Sequence, residues 1–269
     1  MPELPEVETT RRGLEPWVSG KKITRITIRQ ASLRWSVPEK KIQLLRGQVI
    51  HRVSRRAKYL LFHADPGVLL IHLGMSGSLR ILETHQPPQP HDHVDIHFGN
   101  LCLRYRDPRR FGAILWATDP QHHPLLEPLG PEPLSEQFDG AFLFRRSRKR
   151  KVAVKNFIMN SRIVVGVGNI YASEALFMAG IDPRRPAGRI SLKRYMKLAG
   201  AIRQVLTSAI EAGGTTLRDF VGSSGNPGYF SQELNVYGRE GQPCPRCGGA
   251  IQKTIIGQRS TFFCRMCQR

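Results

Sequence analysis

Four of the chain's five cysteines follow the pattern C-x2-C-x16-C-x2-C, formed by Cys244, Cys247, Cys264 and Cys267. Two such knuckles can deliver four thiolates to one tetrahedral zinc, and a shell closed by protein ligands makes the ion structural and not catalytic. One structural zinc ion is therefore the expected cofactor. Between the knuckles, "AIQKTIIGQRSTFF" alternates, turns at Gly257 and Gln258, and alternates again, which predicts a zinc-clamped hairpin with Arg259 near its tip. On the residues alone, Arg259 is equally a solvated turn residue. Cys102 reads as an ordinary reduced thiol in a strand.

A second chemistry sits in the opening "MPELPEVETT". Removal of the initiator Met would leave Pro2 carrying a secondary amine beside the carboxyl of Glu3. An α-amino group titrates near pH 8, against about 10.4 for a lysine side chain, so at physiological pH a far larger share of it is the neutral, nucleophilic amine than of a lysine. The plainer reading is a helix that begins after Pro5, with early acids complementing its dipole. Further along, "VVGVGNIYASE" places Gly166 and Gly168 before Asn169 and a helix start, an arrangement suited to a phosphate and also common in tight turns. "IHLGMSGSL" and "DPRRFGA" each join a strand end to a turn carrying Met75, or Arg110 and Phe111. Packing into a core is the ordinary fate of Met75 and Phe111; apolar side chains beside an arginine can alternatively enter a base stack. Residues 145–155 hold seven positive charges and no acid, which suits a solvated face or a phosphate track.

These residues need elements to hold them. The 269 residues suggest about two domains, and 40% hydrophobic content suffices for folded cores. Val7, Thr10, Leu14, Trp17 and Val18 predict an N-terminal helix of about three turns. "KITRITIRQ", "KYLLFH", "VLLIHL", "HVDIHF", "LCLRYR" and "GAILWA" predict strands of a sandwich or barrel, with "ETHQPPQPH" as a surface loop. Five prolines in residues 119–133 mark an interdomain connection. Beyond it the period becomes helical, clearest at Leu198, Ile202, Val205, Leu206 and Ala209. Residues 213–230, with five glycines, predict a mobile lid or binding loop.

The formal charge of +20 points to a polyanionic partner, and nucleic acid outranks an anionic membrane because the basic residues are spread along the chain. No stretch is long and apolar enough to span a bilayer, and the early acids do not suit a secretory signal, so the expected compartment is the cytoplasm.

Taken together, "PELPEVE", "IHLGMSG", "YRDPRRFG", "VVGVGNIYASE" and the cysteine hairpin with "QRSTFFC" closely resemble the formamidopyrimidine-DNA glycosylase family of bacterial base-excision repair, from end to end. The resemblance implies an α+β multidomain fold: an N-terminal β-sandwich with an N-terminal helix over residues 1–118, a linker over 119–133, a helical domain with a helix-two-turn-helix over 134–238, and a zinc finger over 239–269. DNA would lie in the cleft between the domains. The implied roles are Pro2 as nucleophile, Glu3 as proton donor, Lys58, His72, Asn169 and Arg259 at phosphates, and Lys155 near the damaged base. Met75, Arg110 and Phe111 would fill the gap left by an extruded nucleotide, and the Gly-rich loop, with Arg218, would cover the base. The implied activity is removal of oxidised or ring-opened purines from duplex DNA, followed by β- and δ-elimination, by a monomer working at the bacterial nucleoid. The alternatives are an endonuclease VIII-type glycosylase for oxidised pyrimidines and a non-enzymatic zinc-ribbon nucleic-acid-binding protein. The second accounts for the cysteines and the charge but not for the N-terminus.

Overall fold

The computed structural model describes residues 2–213 and 234–269; the expected lid loop and Arg218 lie outside them. Two compact units divide the chain, with the boundary at Glu127 and Pro128, inside the proline-rich stretch.

The first unit opens with helix α1, Leu4–Val18. Pro5 near its start lacks an N–H that the first turn could not have paired. Glu6 closes that turn by accepting the Glu3 amide at 2.7 Å. Leu4, Val7, Leu14 and Val18 are buried, while Trp17, expected in the same stripe, is exposed in the last turn beyond Pro16.

Eight strands follow, in two antiparallel four-stranded sheets. The first sheet runs β1 (Arg25–Ile28), β6 (Asp92–Phe98), β7 (Leu101–Arg106) and β5 (Ser78–Glu83). The second runs β2 (Arg52–Arg56), β3 (Tyr59–Ala64), β4 (Gly67–His72) and β8 (Ala113–Ala117). Alternate residues Val94, Ile96 and Phe98 of β6 meet Leu60, Phe62, Leu69 and Ile71 of the other sheet in one core that also takes in α1. This is the expected sandwich. Local spacing does not predict β2 and β5, whose arginines and glutamate break the apolar alternation, or the short helix α2 (Glu39–Ile42). They are fixed by pairing: β2 joins β3 across a two-residue hairpin at Ala57 and Lys58, and β5 covers the far edge of β7.

The outer face of the first sheet buries charge. Arg104 donates to both Asp95 oxygens, at 2.8 and 2.9 Å, and Arg29 pairs with the same carboxylate. The Asp92 carboxylate and the backbone carbonyls of Gln86 and Pro87 take the remaining Arg104 donors, so the proline-rich loop covers this ion pair. Burial pushes the neighbouring Cys102 thiol up to about 12, and Asp95 adds to the effect, which leaves it protonated and inert.

The second unit holds α3 (Gly140–Ser147), α4 (Val154–Met159), α5 (Asn169–Met178) and α6 (Leu192–Glu211). Asp139 caps α3 and Ser191 caps α6, each through its side-chain oxygen. Helix α5 is buried from Ile170 to Phe177, Ser173 and Glu174 included, and packs on α4 and α6. Its Glu174 accepts from the backbone of Asn235, Val236 and Tyr237 at 2.9 Å each, fixing the segment that enters the zinc-finger hairpin β9 (Gln252–Ile256) and β10 (Arg259–Phe263). Arg145 and Arg146 of the basic run close the last turn of α3, where they complement its dipole.

Candidate nucleic-acid interface and active site

In the first unit, topology gathers the candidates at one end of the β2-β3-β4-β8 sheet. Lys58 lies in the β2–β3 hairpin, His72 ends β4 opposite Tyr59, and Ala113, which begins β8 directly after Phe111 and Gly112, pairs with His72. The Tyr59 and His72 rings are 4.8 Å apart. Arg55 donates to Glu8 of α1 at 3.1 Å and to the Ala57 carbonyl at 2.8 Å, tying the early turns of α1 to the hairpin that carries Lys58. Pro2 and Glu3, at the head of that helix, are both buried.

His72 is poised as a neutral donor. Its Nδ1 accepts the Gly74 amide at 3.0 Å, which leaves the proton of the neutral ring on Nε2. Burial first, then the charges of Lys58 and Arg34, push its pKa down to about 4. A cationic neighbourhood with a neutral N–H donor is suited to a phosphate ester.

Met75 and Phe111 do not pack into the sandwich: they are 40% and 46% exposed. Arg110 beside Phe111 is exposed with φ at 55°, a left-handed conformation uncommon for any residue other than glycine. Arg109 stacks its guanidinium 4.7 Å from the Phe111 ring. Two apolar side chains and an arginine therefore project from adjoining turns, as a wedge requires.

In the second unit, Asn169 stands at the first position of α5, behind the Gly168 cap. Its Nδ2 donates to the Ser260 carbonyl at 3.0 Å and its Oδ1 accepts from Lys155 at 2.5 Å. Lys155 was expected beside the damaged base, yet the structure buries it completely. Its ammonium donates to Asn169, to the Thr261 hydroxyl at 2.6 Å and to the Ser260 carbonyl at 3.2 Å. Lys155 thus joins α4, α5 and the hairpin from inside. No local signal carries this partner set, since Asn169 and Thr261 lie 14 and 106 residues away in sequence.

The hairpin turns at Gly257 and Gln258, both with positive φ, and presents Arg259 exposed at the first position of β10. A Cβ on Gly257 would lie 2.5 Å from the Asn156 amide nitrogen, so the turn rests against α4. At the base of the hairpin the four cysteine sulfurs lie within 4.8 Å of one another. Cys244 and Cys267 approach to 3.9 Å and Cys247 and Cys264 to 3.5 Å. Zinc–sulfur bonds of about 2.3 Å in a tetrahedron require sulfurs about 3.8 Å apart, so the four residues fit one zinc.

Three family models cover most of the chain: the formamidopyrimidine-DNA glycosylase N-terminal domain at residues 1–114, the formamidopyrimidine-DNA glycosylase H2TH domain at 129–221, and the zinc finger found in FPG and IleRS at 241–269. The chain belongs to the formamidopyrimidine-DNA glycosylase family. Relatives bearing that family's name include those of Alkalilimnicola ehrlichii, 60% identical over 277 residues, and Syntrophotalea carbinolica, 62% identical over 271 residues, each match covering 100% of both chains. Among solved structures, the glycosylase of Thermus thermophilus is 40% identical, with a TM-score of 0.89 over 99% of this chain and 98% of that one. The Lactococcus lactis enzyme in complex with DNA containing an abasic site is 36% identical, with a TM-score of 0.91 over 99% of each. The family's α+β multidomain fold and its structural zinc agree with the sandwich, helices and cysteine cluster described above.

Proposed function

We propose that this chain is a bifunctional DNA glycosylase and abasic-site lyase that removes 8-oxoguanine and formamidopyrimidines from duplex DNA. The observation that carries the reading is the buried Pro2–Glu3 pair at the head of α1, tied through Glu8 and Arg55 to the hairpin of Lys58, in a chain of this family.

Once Met1 is removed, the Pro2 nitrogen attacks the anomeric carbon of the damaged nucleotide and the base departs. Glu3 gives its proton to the ring oxygen, the sugar opens, and an iminium forms. Because the nitrogen is secondary, the iminium cannot shed a proton to become a neutral imine and stays an electron sink. It acidifies the adjacent carbon, so the 3′ phosphate leaves by β-elimination and the 5′ phosphate by δ-elimination. Glu6, hydrogen-bonded to the Glu3 amide, orients the terminus.

Lys58, His72, Asn169 and Arg259 hold phosphates, with Lys155 setting the positions of Asn169 and the hairpin. Met75, Arg110 and Phe111 take the space of the extruded nucleotide. Arg110 can donate to the acceptors on the pairing edge of an orphaned cytosine, whereas adenine offers a donor there, which favours lesions opposite cytosine. Zinc holds the hairpin shape and takes no part in bond breaking. The reading includes a monomer at work in the bacterial cytoplasm on nucleoid DNA, and a division into residues 1–118, 119–133, 134–238 and 239–269.

The test is borohydride trapping on duplexes carrying 8-oxoguanine opposite cytosine, 8-oxoguanine opposite adenine, or thymine glycol, followed by mapping of the cross-linked residue. Trapping at Pro2 with the cytosine duplex preferred is expected. Preference for thymine glycol would move the chain to the endonuclease VIII-type activity.

A further inference from the structure

Asp107 is completely buried in a turn whose neighbours carry the exposed wedge residues. Its Oδ1 accepts the Ser76 hydroxyl at 2.6 Å, and Ser76 directly follows Met75. Its Oδ2 accepts the Gly112 amide at 2.8 Å, and Gly112 directly follows Phe111. Tyr105 donates to the same oxygen at 3.1 Å, and the Asp107 carbonyl accepts the Arg110 amide at 3.2 Å. A second strap runs back, since the Arg109 amide donates to Ser76 Oγ at 3.2 Å. Gly74 has φ at 64°, and a Cβ built on it would collide with the backbone of Phe111 and Gly112, so the two turns touch main chain to main chain. On the far side, the Arg34 amide donates to the Gly112 carbonyl at 3.2 Å.

We infer that Asp107 is the positioning residue of the wedge: its carboxylate clips the Met75 turn to the Arg110–Phe111 turn and makes the three side chains one preorganised unit. The inference rests on the wedge role proposed above. Two exposed turns that moved independently would lose conformational freedom on entering a base stack, at the moment when extrusion already costs a few kcal/mol of stacking and pairing. A shared buried acceptor settles that order during folding. Only a carboxylate accepts three donors with two oxygens and offers no proton of its own in return. Asp107 touches neither the sugar nor the base in this account; it acts through the turns it joins.

The test compares excision of 8-oxoguanine opposite cytosine with elimination at a pre-formed abasic site, where little stacking or pairing of the target has to be broken. Asp107→Ala is expected to slow excision by about tenfold or more and abasic elimination by no more than about threefold. Asp107→Asn should recover most of the excision, because its amide oxygen keeps the Gly112 and Tyr105 donors while the Ser76 hydroxyl turns to accept. Ser76→Ala, which cuts only the Met75 arm, should show a smaller loss of the same selective kind, and it carries the test alone if thermal melting shows Asp107→Ala to be unfolded. Met75→Ala and Phe111→Ala serve as references. If those two lose excision selectively while the Asp107 and Ser76 variants match wild type, or lose both activities equally, the clip is refuted. If the references show no selective loss, the wedge role fails and the inference falls with it.

Discussion

Lys155 and His72 show how burial assigns roles that residue type leaves open. Lys155 has no exposed surface and, among the described residues, donates to Asn169 Oδ1, Ser260 O and Thr261 Oγ1, so it ties α4, α5 and the hairpin together from inside. Lys155→Met keeps the aliphatic stem but takes the Lys155 donor from Asn169 Oδ1 and Thr261 Oγ1, while Ser260 O keeps its bond from Asn169 Nδ2, at a cost of about 1–3 kcal/mol. Denaturant unfolding should register that loss, and duplex affinity should fall as Asn169 loosens. The slope of log affinity against log salt should stay unchanged, because no direct phosphate contact has gone. His72 yields a pH prediction with a definite sign. Its folded pKa of about 4 lies below the ordinary value of 6.5, so the unfolded chain binds the proton more readily. Unfolding free energy should rise with pH between about 4 and 6.5 and level off above. His72→Gln should remove part of that rise in denaturant melts at pH 4.5, 5.5 and 7.5, while His63, His97 and His123, also shifted down by burial, retain the rest.

The zinc hairpin is the element least able to stand alone. Its core consists of Phe177, Val236, Ile251 and Phe262 with two of the cysteines, too little apolar area to hold ten strand residues without the metal. Zinc binding to such fingers contributes on the order of 10 kcal/mol to folding. A strong chelator should therefore disorder β9 and β10, seen as new fast amide exchange there, while the sandwich of the first unit keeps its protection. Arg259→Ala should leave the hairpin folded and reduce the salt slope by about one, as expected for a side chain that neutralises a single phosphate. An unchanged slope and affinity would make Arg259 a solvated turn residue.

At the scale of the whole molecule, the proposed function assigns binding and chemistry to different parts of the chain. Forty-one basic against twenty-one acidic residues supply a sequence-independent attraction for a polyanion, and no described helix is long and apolar enough to cross a membrane. In the proposed mechanism the covalent step depends on one nitrogen, that of Pro2. Retaining Met1 or adding an N-terminal extension should abolish borohydride trapping and leave duplex affinity and its salt slope nearly intact in a binding titration. A tagged protein that still cross-links through its first unit would defeat the iminium mechanism. Glu3→Gln should stall release of 8-oxoguanine yet keep much of the elimination at a pre-formed abasic site, where the sugar opens by itself.

Short-range order determined much of this protein before any tertiary contact was considered. The four cysteines, the Gly257–Gln258 turn, the body of helix α1, the α6 stripe and six of the eight sandwich strands follow from local spacing, because each depends on residues a few positions apart, although α1 starts at Leu4 and not after Pro5. The charged strands β2 and β5 exist because neighbouring strands take their backbone bonds, a long-range condition that composition does not carry. Whether Met75 and Phe111 faced the core or solvent was likewise undecided: both fates suit an apolar side chain, and only the closure of two turns on Asp107 turns them outward. The partners of Lys155 are also a matter of tertiary structure, since Asn169 and Thr261 meet it only once α4, α5 and β10 have packed. Residue type and local period select the elements and the metal, while burial and distant hydrogen bonds decide which polar side chains remain available to a ligand.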